Sequence, residues 1–89
     1  KLPAETIARA YDLEYGSNTL ELHVDAIRPG QRVVLLDDLL ATGGTAGAAV
    51  ELIEALGGEI VRILFMIELE PLEGRSELEG YDVRTLLKY

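Results

Sequence analysis

Two adjacent carboxylates, Asp37 and Asp38, stand just ahead of a small polar cluster, Thr42-Gly43-Gly44-Thr45. Carboxylates are pure acceptors, and a sugar cis-diol offers two hydroxyl donors. Glycines let backbone amides approach an anion closely, and a helix N-terminus presents free N–H groups with partial positive charge. Together these types could hold a phosphorylated ribose. Taken alone, the glycine loop is equally a plain turn with Thr45 as an N-cap. The acidic pair tips the balance, because it follows an apolar run directly and precedes the glycines. No lysine follows the glycines, so this is not a Walker loop, and the spacing is not the G-x-G-x-x-G dinucleotide pattern.

These residues need a strand and a helix to position them. Arg32–Leu36 is a continuous apolar run, which suggests a buried parallel strand. Ala46, Ala49, Val50, Ile53 and Leu56 recur at three- and four-residue steps, which predicts a helix over about 46–56, stopped by Gly57-Gly58. Ile60–Ile67 reads as a second buried strand. The unit is a strand–loop–helix–strand crossover, in which ligands bind beyond the carboxyl ends of the strands. Upstream, Tyr11, Leu13 and Tyr15, then Leu20, Leu22 and Val24, alternate around Gly16-Ser17-Asn18-Thr19, the pattern of a β-hairpin. Residues 1–6 read as loop. Residues 68–80 read as a charged loop with a helical turn near 75–79, and 81–87 as a last short strand. Three parts result: a hairpin over 1–27, the strand–loop–helix–strand over 32–67, and a C-terminal loop and strand over 68–89.

Composition bounds the function. With 89 residues the chain forms at most one small domain. Its net charge of −8 argues against nucleic acid or an anionic membrane as partner, since no basic patch could neutralise phosphates. An acidic chain must therefore bind a phosphate through local donors, which amides and a helix end supply without lysines. There is no cysteine, hence no disulfide, thiol nucleophile or cysteine metal site, and a reducing cytoplasm fits. No run reaches the length of a membrane-spanning helix. The apolar runs VVLL and IVRILFMI need cover on both sheet faces, yet only one convincing helix is present. The missing cover is expected from an absent N-terminal part or another subunit.

The run VVLLDDLLATGGT resembles the phosphoribosyl-pyrophosphate (PRPP) signature of type I phosphoribosyltransferases. Leu39-Leu40-Ala41 after the acids, with Lys1-Leu2-Pro3, Tyr11-Asp12-Leu13-Glu14-Tyr15-Gly16 and Leu20-Glu21 upstream, is similar to the adenine-specific branch and its mobile loop. The resemblance covers essentially the whole chain. It implies an α/β fold with a Rossmann-like parallel sheet and a flexible β-hairpin lid, here as a partial domain. The implied activity is formation of AMP and pyrophosphate from adenine and PRPP in purine salvage.

By the same resemblance, Asp37 and Asp38 hold the ribose hydroxyls, and Ala41, Thr42, Gly43, Gly44 and Thr45 cradle the 5′-phosphate. Lys1 lies near the pyrophosphate, Leu69 packs on the base, and Glu14 and Tyr15 close over the site, with Glu14 moving the purine proton. Mg²⁺ is implied through the pyrophosphate with no direct protein ligand, and a homodimer is implied for the complete protein. Read without the resemblance, Glu14 is an ordinary surface carboxylate. Tyr15 belongs to a packing stripe with Tyr11 and Leu13, Leu69 is the end of a core strand, and His23 is structural or exposed. The pattern departs from the family in lacking the first strands and the arginine-containing pyrophosphate loop. The 89 residues are therefore expected to be a carboxy-terminal half, inactive alone. Three alternatives remain at this level: a non-catalytic PRPP-sensing regulator of the same fold, a phosphoribosyltransferase for another base, and a different small α/β domain whose glycine loop binds some other phosphate.

Overall fold

The computed structural model describes residues 6–13, 16–23 and 26–89, with side chains described from residue 26 onward. Among the described residues, five strands and one α-helix run in the order β1 (Thr6–Leu13), β2 (Gly16–His23), β3 (Arg32–Leu40), α1 (Gly44–Ala55), β4 (Glu59–Glu68) and β5 (Val83–Lys88). Two 3-10 turns, Glu70–Leu72 and Gly74–Leu78, lie between β4 and β5.

β1 and β2 form an antiparallel two-stranded ribbon, and β3, β4 and β5 a parallel sheet in the order β3-β4-β5. The hairpin is present but its reversal falls earlier than the sequence suggests. Leu13 pairs with Gly16 and Ala10 with Thr19, so 16–19 belong to β2. Turn-prone residues mark the neighbourhood of a reversal, whereas strand pairing decides its register. β1 also starts at Thr6, within the segment read as loop. The hairpin runs alongside α1.

The crossover over β3, α1 and β4 matches expectation, with longer strands. β3 continues through the acidic pair to Leu40, because its parallel ladder with β4 continues: Asp37 pairs with Phe65 and Leu40 with Glu68. Those bonds are made by the backbone, so a carboxylate does not end the strand. α1 spans 12 residues and begins two residues before the expected start. It stops as the glycines predict. Gly57 takes φ +89°, its N–H donates to Glu54 O, and the Gly58 N–H donates to Ile53 O. This is a Schellman end, in which a left-handed glycine satisfies the last carbonyls.

The core lies between α1 and one face of the sheet. Ala46 and Val50 meet Ile63 and Phe65, with Leu40 and Leu78 closing one end. Ala48 and Leu52, outside the expected helix stripe, are also buried. They do not join that cluster, and the hairpin alongside α1 accounts for a second covered side. The opposite sheet face is bare: Val34, Leu36, Met66 and Leu86 are exposed, Leu36 by 69% and Leu86 by 79%. The runs that asked for cover on both faces have it on one. Among the described residues no helix is long and apolar enough to cross a membrane.

Candidate functional site

The carboxyl end of β3 and the start of α1 enclose a cavity of about 240 Å³, lined by residues 37–46 and Phe65. Asp37, Asp38, Ala41, Thr42, Gly43, Gly44 and Thr45 all border it. The size is below the roughly 300–1,000 Å³ usual for a whole small-molecule site and suits a phosphate with part of a sugar.

Successive strand residues point to opposite faces, so regular pleating would keep the two acids apart. Burial does not follow strict alternation at the strand end: Leu35 packs on the core, yet Leu39 is 41% exposed and Leu40 only 1%. Both acids border the cavity.

The Asp38 backbone N–H donates to Asp37 Oδ1 at 2.8 Å. Partial burial pushes the Asp37 carboxyl above the usual aspartate range; the Asp38 amide opposes this, and the neighbouring Asp38 carboxyl adds to it. A paired hydroxyl donor or a cation would relieve that crowding.

The loop ends as an anion cradle requires. Gly43 is the N-cap, with φ +86° and no side-chain cap bond. This corrects the reading of Thr45 as N-cap: Thr45 already lies inside the helix. Gly47 N–H is the first to close on the loop, donating to Gly43 O at 2.8 Å. The Gly44, Thr45 and Ala46 amides precede it, at the helix end where N–H groups lack intrahelical partners. Thr42 Oγ1 sits 3.5 Å from the Gly44 nitrogen, too far for a strong bond. Three amides at a positive helix end, bordered by two hydroxyls, can bind a dianionic phosphate.

The loop has no room at its back. A side chain on Gly43 would meet Gly74 O and Glu77 Cβ, and one on Gly74 would meet Ala41 O and the Leu40 side chain. Beside Gly74, Arg75 Nε lies 2.8 and 3.0 Å from the two oxygens of Glu68, and Nη1 donates to Val83 O. Glu68 is 4% exposed and also accepts from Thr85 Oγ1 at 3.0 Å. The Arg75 bond holds its carboxyl below the usual glutamate range, against the opposing effect of burial. Sequence reasoning missed this group. Gly74 is more than thirty positions from the loop it touches, and no local periodicity carries such a contact.

Leu69 is half-buried at the end of β4, its N–H donating to Leu40 O at 2.9 Å, and it does not line the cavity. Lys1, Glu14 and Tyr15 lie outside the described residues. Among the described residues no group of three or more His, Asp or Glu side chains is placed to hold a metal ion. A larger apolar groove of about 650 Å³ covers the bare sheet face and shares Asp37 and Asp38 with the cavity.

Comparison with known proteins agrees with this geometry. The phosphoribosyl transferase domain family matches residues 5–88. The adenine phosphoribosyltransferase of Alkaliphilus metalliredigens is 63% identical over 89 residues, covering 100% of this chain and 52% of that protein. That of Agathobacter rectalis is 58% identical, covering 100% of this chain and 51% of its own length. The crystal structure of adenine phosphoribosyltransferase from Thermoanaerobacter pseudethanolicus superposes with a TM-score of 0.95 at 55% identity, over 100% of this chain and 52% of that one. The Saccharomyces cerevisiae enzyme, solved with adenine and an imino-altritol bisphosphate, gives 0.91 at 45% identity, over 98% of this chain and 49% of that one. The chain spans about half the length of the curated relatives it matches. A parallel sheet with its glycine loop at a helix start, and a match over nearly every residue, make this chain a member of the phosphoribosyl transferase domain family.

Proposed function

We propose that the chain is the PRPP-holding part of an adenine phosphoribosyltransferase, a glycosyltransferase of purine salvage. The observation that carries the reading is the single cavity bordered by both acids and by the helix-end amides. Asp37 and Asp38 accept hydrogen bonds from the ribose 2′- and 3′-hydroxyls, and residues 41–45 hold the 5′-phosphate. Relatives at 55–63% identity across the whole chain bear the adenine enzyme's name, which supports the base assignment over the sensor reading and over another base.

In the reaction, the C1′–O bond to pyrophosphate breaks and a bond from adenine N9 to C1′ forms. The N9 proton passes to Glu14 on the hairpin lid, and pyrophosphate leaves with the electron pair. A carboxylate in a closed, dry site is a competent base, and a closed lid keeps water from an oxocarbenium-like centre. In this assignment residues 1–27 form that lid, with Tyr15 closing beside Glu14, Lys1 near the pyrophosphate and Leu69 against the base. The crowded Asp37–Asp38 carboxylates could accept from the waters of a hydrated cation. Mg²⁺, held by pyrophosphate oxygens and water, would neutralise charge on the leaving group. The complete protein acts in the cytoplasm as a homodimer in this reading, which rests on family resemblance. The Trypanosoma brucei relative was solved with AMP, pyrophosphate and ribose-5-phosphate, compatible with these substrates and products.

The test is turnover by the full-length protein carrying this chain, with adenine and PRPP. AMP formation is expected; turnover only with guanine, hypoxanthine or orotate would sink the base assignment.

A further inference from the structure

The loop of residues 41–43 has the cavity on one side and the 3-10 turn Gly74–Leu78 on the other. The contact is backbone on backbone. Gly43 abuts Gly74 O and Gly74 abuts Ala41 O, each so closely that neither position has space for a methyl group. The turn is itself pinned at both ends. Leu78, 2% exposed, is set into the core beside Ala46 and Val50 of the helix whose end forms the cradle. At the other end Arg75 grips the buried Glu68 carboxylate at the end of β4 and the Val83 carbonyl at the start of β5. Leu69 N–H closes the frame by donating to Leu40 O, one residue before the loop.

An anion cradle made of amides works only if those amides are already aimed, because a loop that must be ordered by its ligand spends binding energy on the ordering. From its own side chains the loop has the long 3.5 Å contact of the Gly44 N–H with Thr42 Oγ1, too weak to fix it. We propose that Gly74 and Arg75 are positioning residues for the phosphate loop: the Glu68–Arg75 clamp presses the Gly74 backbone against residues 41–43 and so presets the helix-end amides. Neither residue touches the ligand in this arrangement. The inference rests on the functional reading above, since it assigns a support to that same site.

The experiment uses the full-length protein and compares Gly74→Ala and Arg75→Lys with wild type. Arg75→Lys keeps the charge beside Glu68 but cannot reproduce the guanidinium's planar fork of donors, so it guards against a Gly74→Ala protein that does not fold. Folding is followed by thermal unfolding, PRPP binding by calorimetry, and the two KM values by initial rates. Each folded variant should weaken PRPP binding by about tenfold or more, equivalent to about 1.4 kcal/mol, while KM for adenine stays within about twofold. Arg75→Ala should be worse than Arg75→Lys on the PRPP axis. Unchanged PRPP affinity in a folded variant would overturn the proposal. So would a matched loss for PRPP and adenine, because damage to the fold at large spares neither substrate. A wild-type protein that does not bind PRPP overturns the functional reading and this inference with it; wild-type binding with unaffected variants overturns this inference alone.

Discussion

The two faces of the sheet are built from the same kinds of residue and meet opposite surroundings. On one, Ile63 and Phe65 are buried beneath Ala46 and Val50 of α1. On the other, Leu36, Met66 and Leu86 are as apolar and stand exposed. On β4 the buried Phe65 and the exposed Met66 are one residue apart, so side-chain alternation assigns them to opposite faces. Local hydrophobicity thus reports the demand for cover, and tertiary structure decides where it is met. An exposed apolar surface of this kind has the composition of an interior.

Substitution across the two faces gives the largest expected effect. In this chain Phe65→Ala should lower unfolding stability by about 3–5 kcal/mol, from lost burial and the cavity left behind. Met66→Ala, one residue on, should change it by no more than about 0.5 kcal/mol, as surface positions do. Urea titration of both variants checks this. Equal losses would mean that the two faces are equally covered in solution, and the contrast would fail.

The acidic pair tests the comparison where the faces converge, since Asp37 and Asp38 border both the cavity and the apolar groove. In the full-length protein, Asp38→Ala should weaken PRPP binding by about 1.5–3 kcal/mol, the scale of lost hydrogen bonds to a charged group, with the melting temperature nearly unchanged. Calorimetric titration with PRPP measures it, and undiminished affinity would remove Asp38 from the ribose role.

Acid should act selectively through the clamp end of the covered side. Glu68 ionises below the usual glutamate range when folded. A depressed folded value means that the stabilisation is complete above the unfolded glutamate pKa of about 4.3 and is lost as pH falls through the lower folded value. Glu68→Gln should therefore flatten the acid limb of the stability profile. An unaltered limb would show that other carboxylates govern it.

The smallest effect concerns the rim of the core. Tyr81 donates to Glu54 Oε2 at 2.7 Å, and this bond first, then partial burial, push its hydroxyl up to about 12. A raised folded value places its contribution at full strength below the unfolded tyrosine pKa of about 10, and it fades as pH rises toward the folded value. Tyr81→Phe should cost about 0.5–1.5 kcal/mol at neutral pH and erase that alkaline dependence, as followed by phenolate absorbance and denaturation.

Much of this was legible in the order of residues. Runs such as Val33–Leu36 and Ile60–Ile67 announced strands, because apolar side chains must leave water, though Val34, Leu36 and Met66 stay exposed where buried strands were expected. Gly57-Gly58 announced the helix stop, because few other residues tolerate a left-handed backbone. Asp37-Asp38 with Thr42–Thr45 announced residues that come to line one cavity, because acceptors and free amides are chemistry carried by residue type. What the order of residues left open was mutual placement. Residues 16–19 joined β2, burial at the end of β3 fell on Leu40 and not on Leu39, and Gly43 took the cap in place of Thr45. Those choices depend on strand register and on neighbours distant in sequence. The glycine loop itself could be read from thirteen contiguous residues. That Gly74 supports it, with Arg75 and Glu68 locking the turn in place, became visible only on folding, since backbone contact between remote segments leaves no local pattern to read.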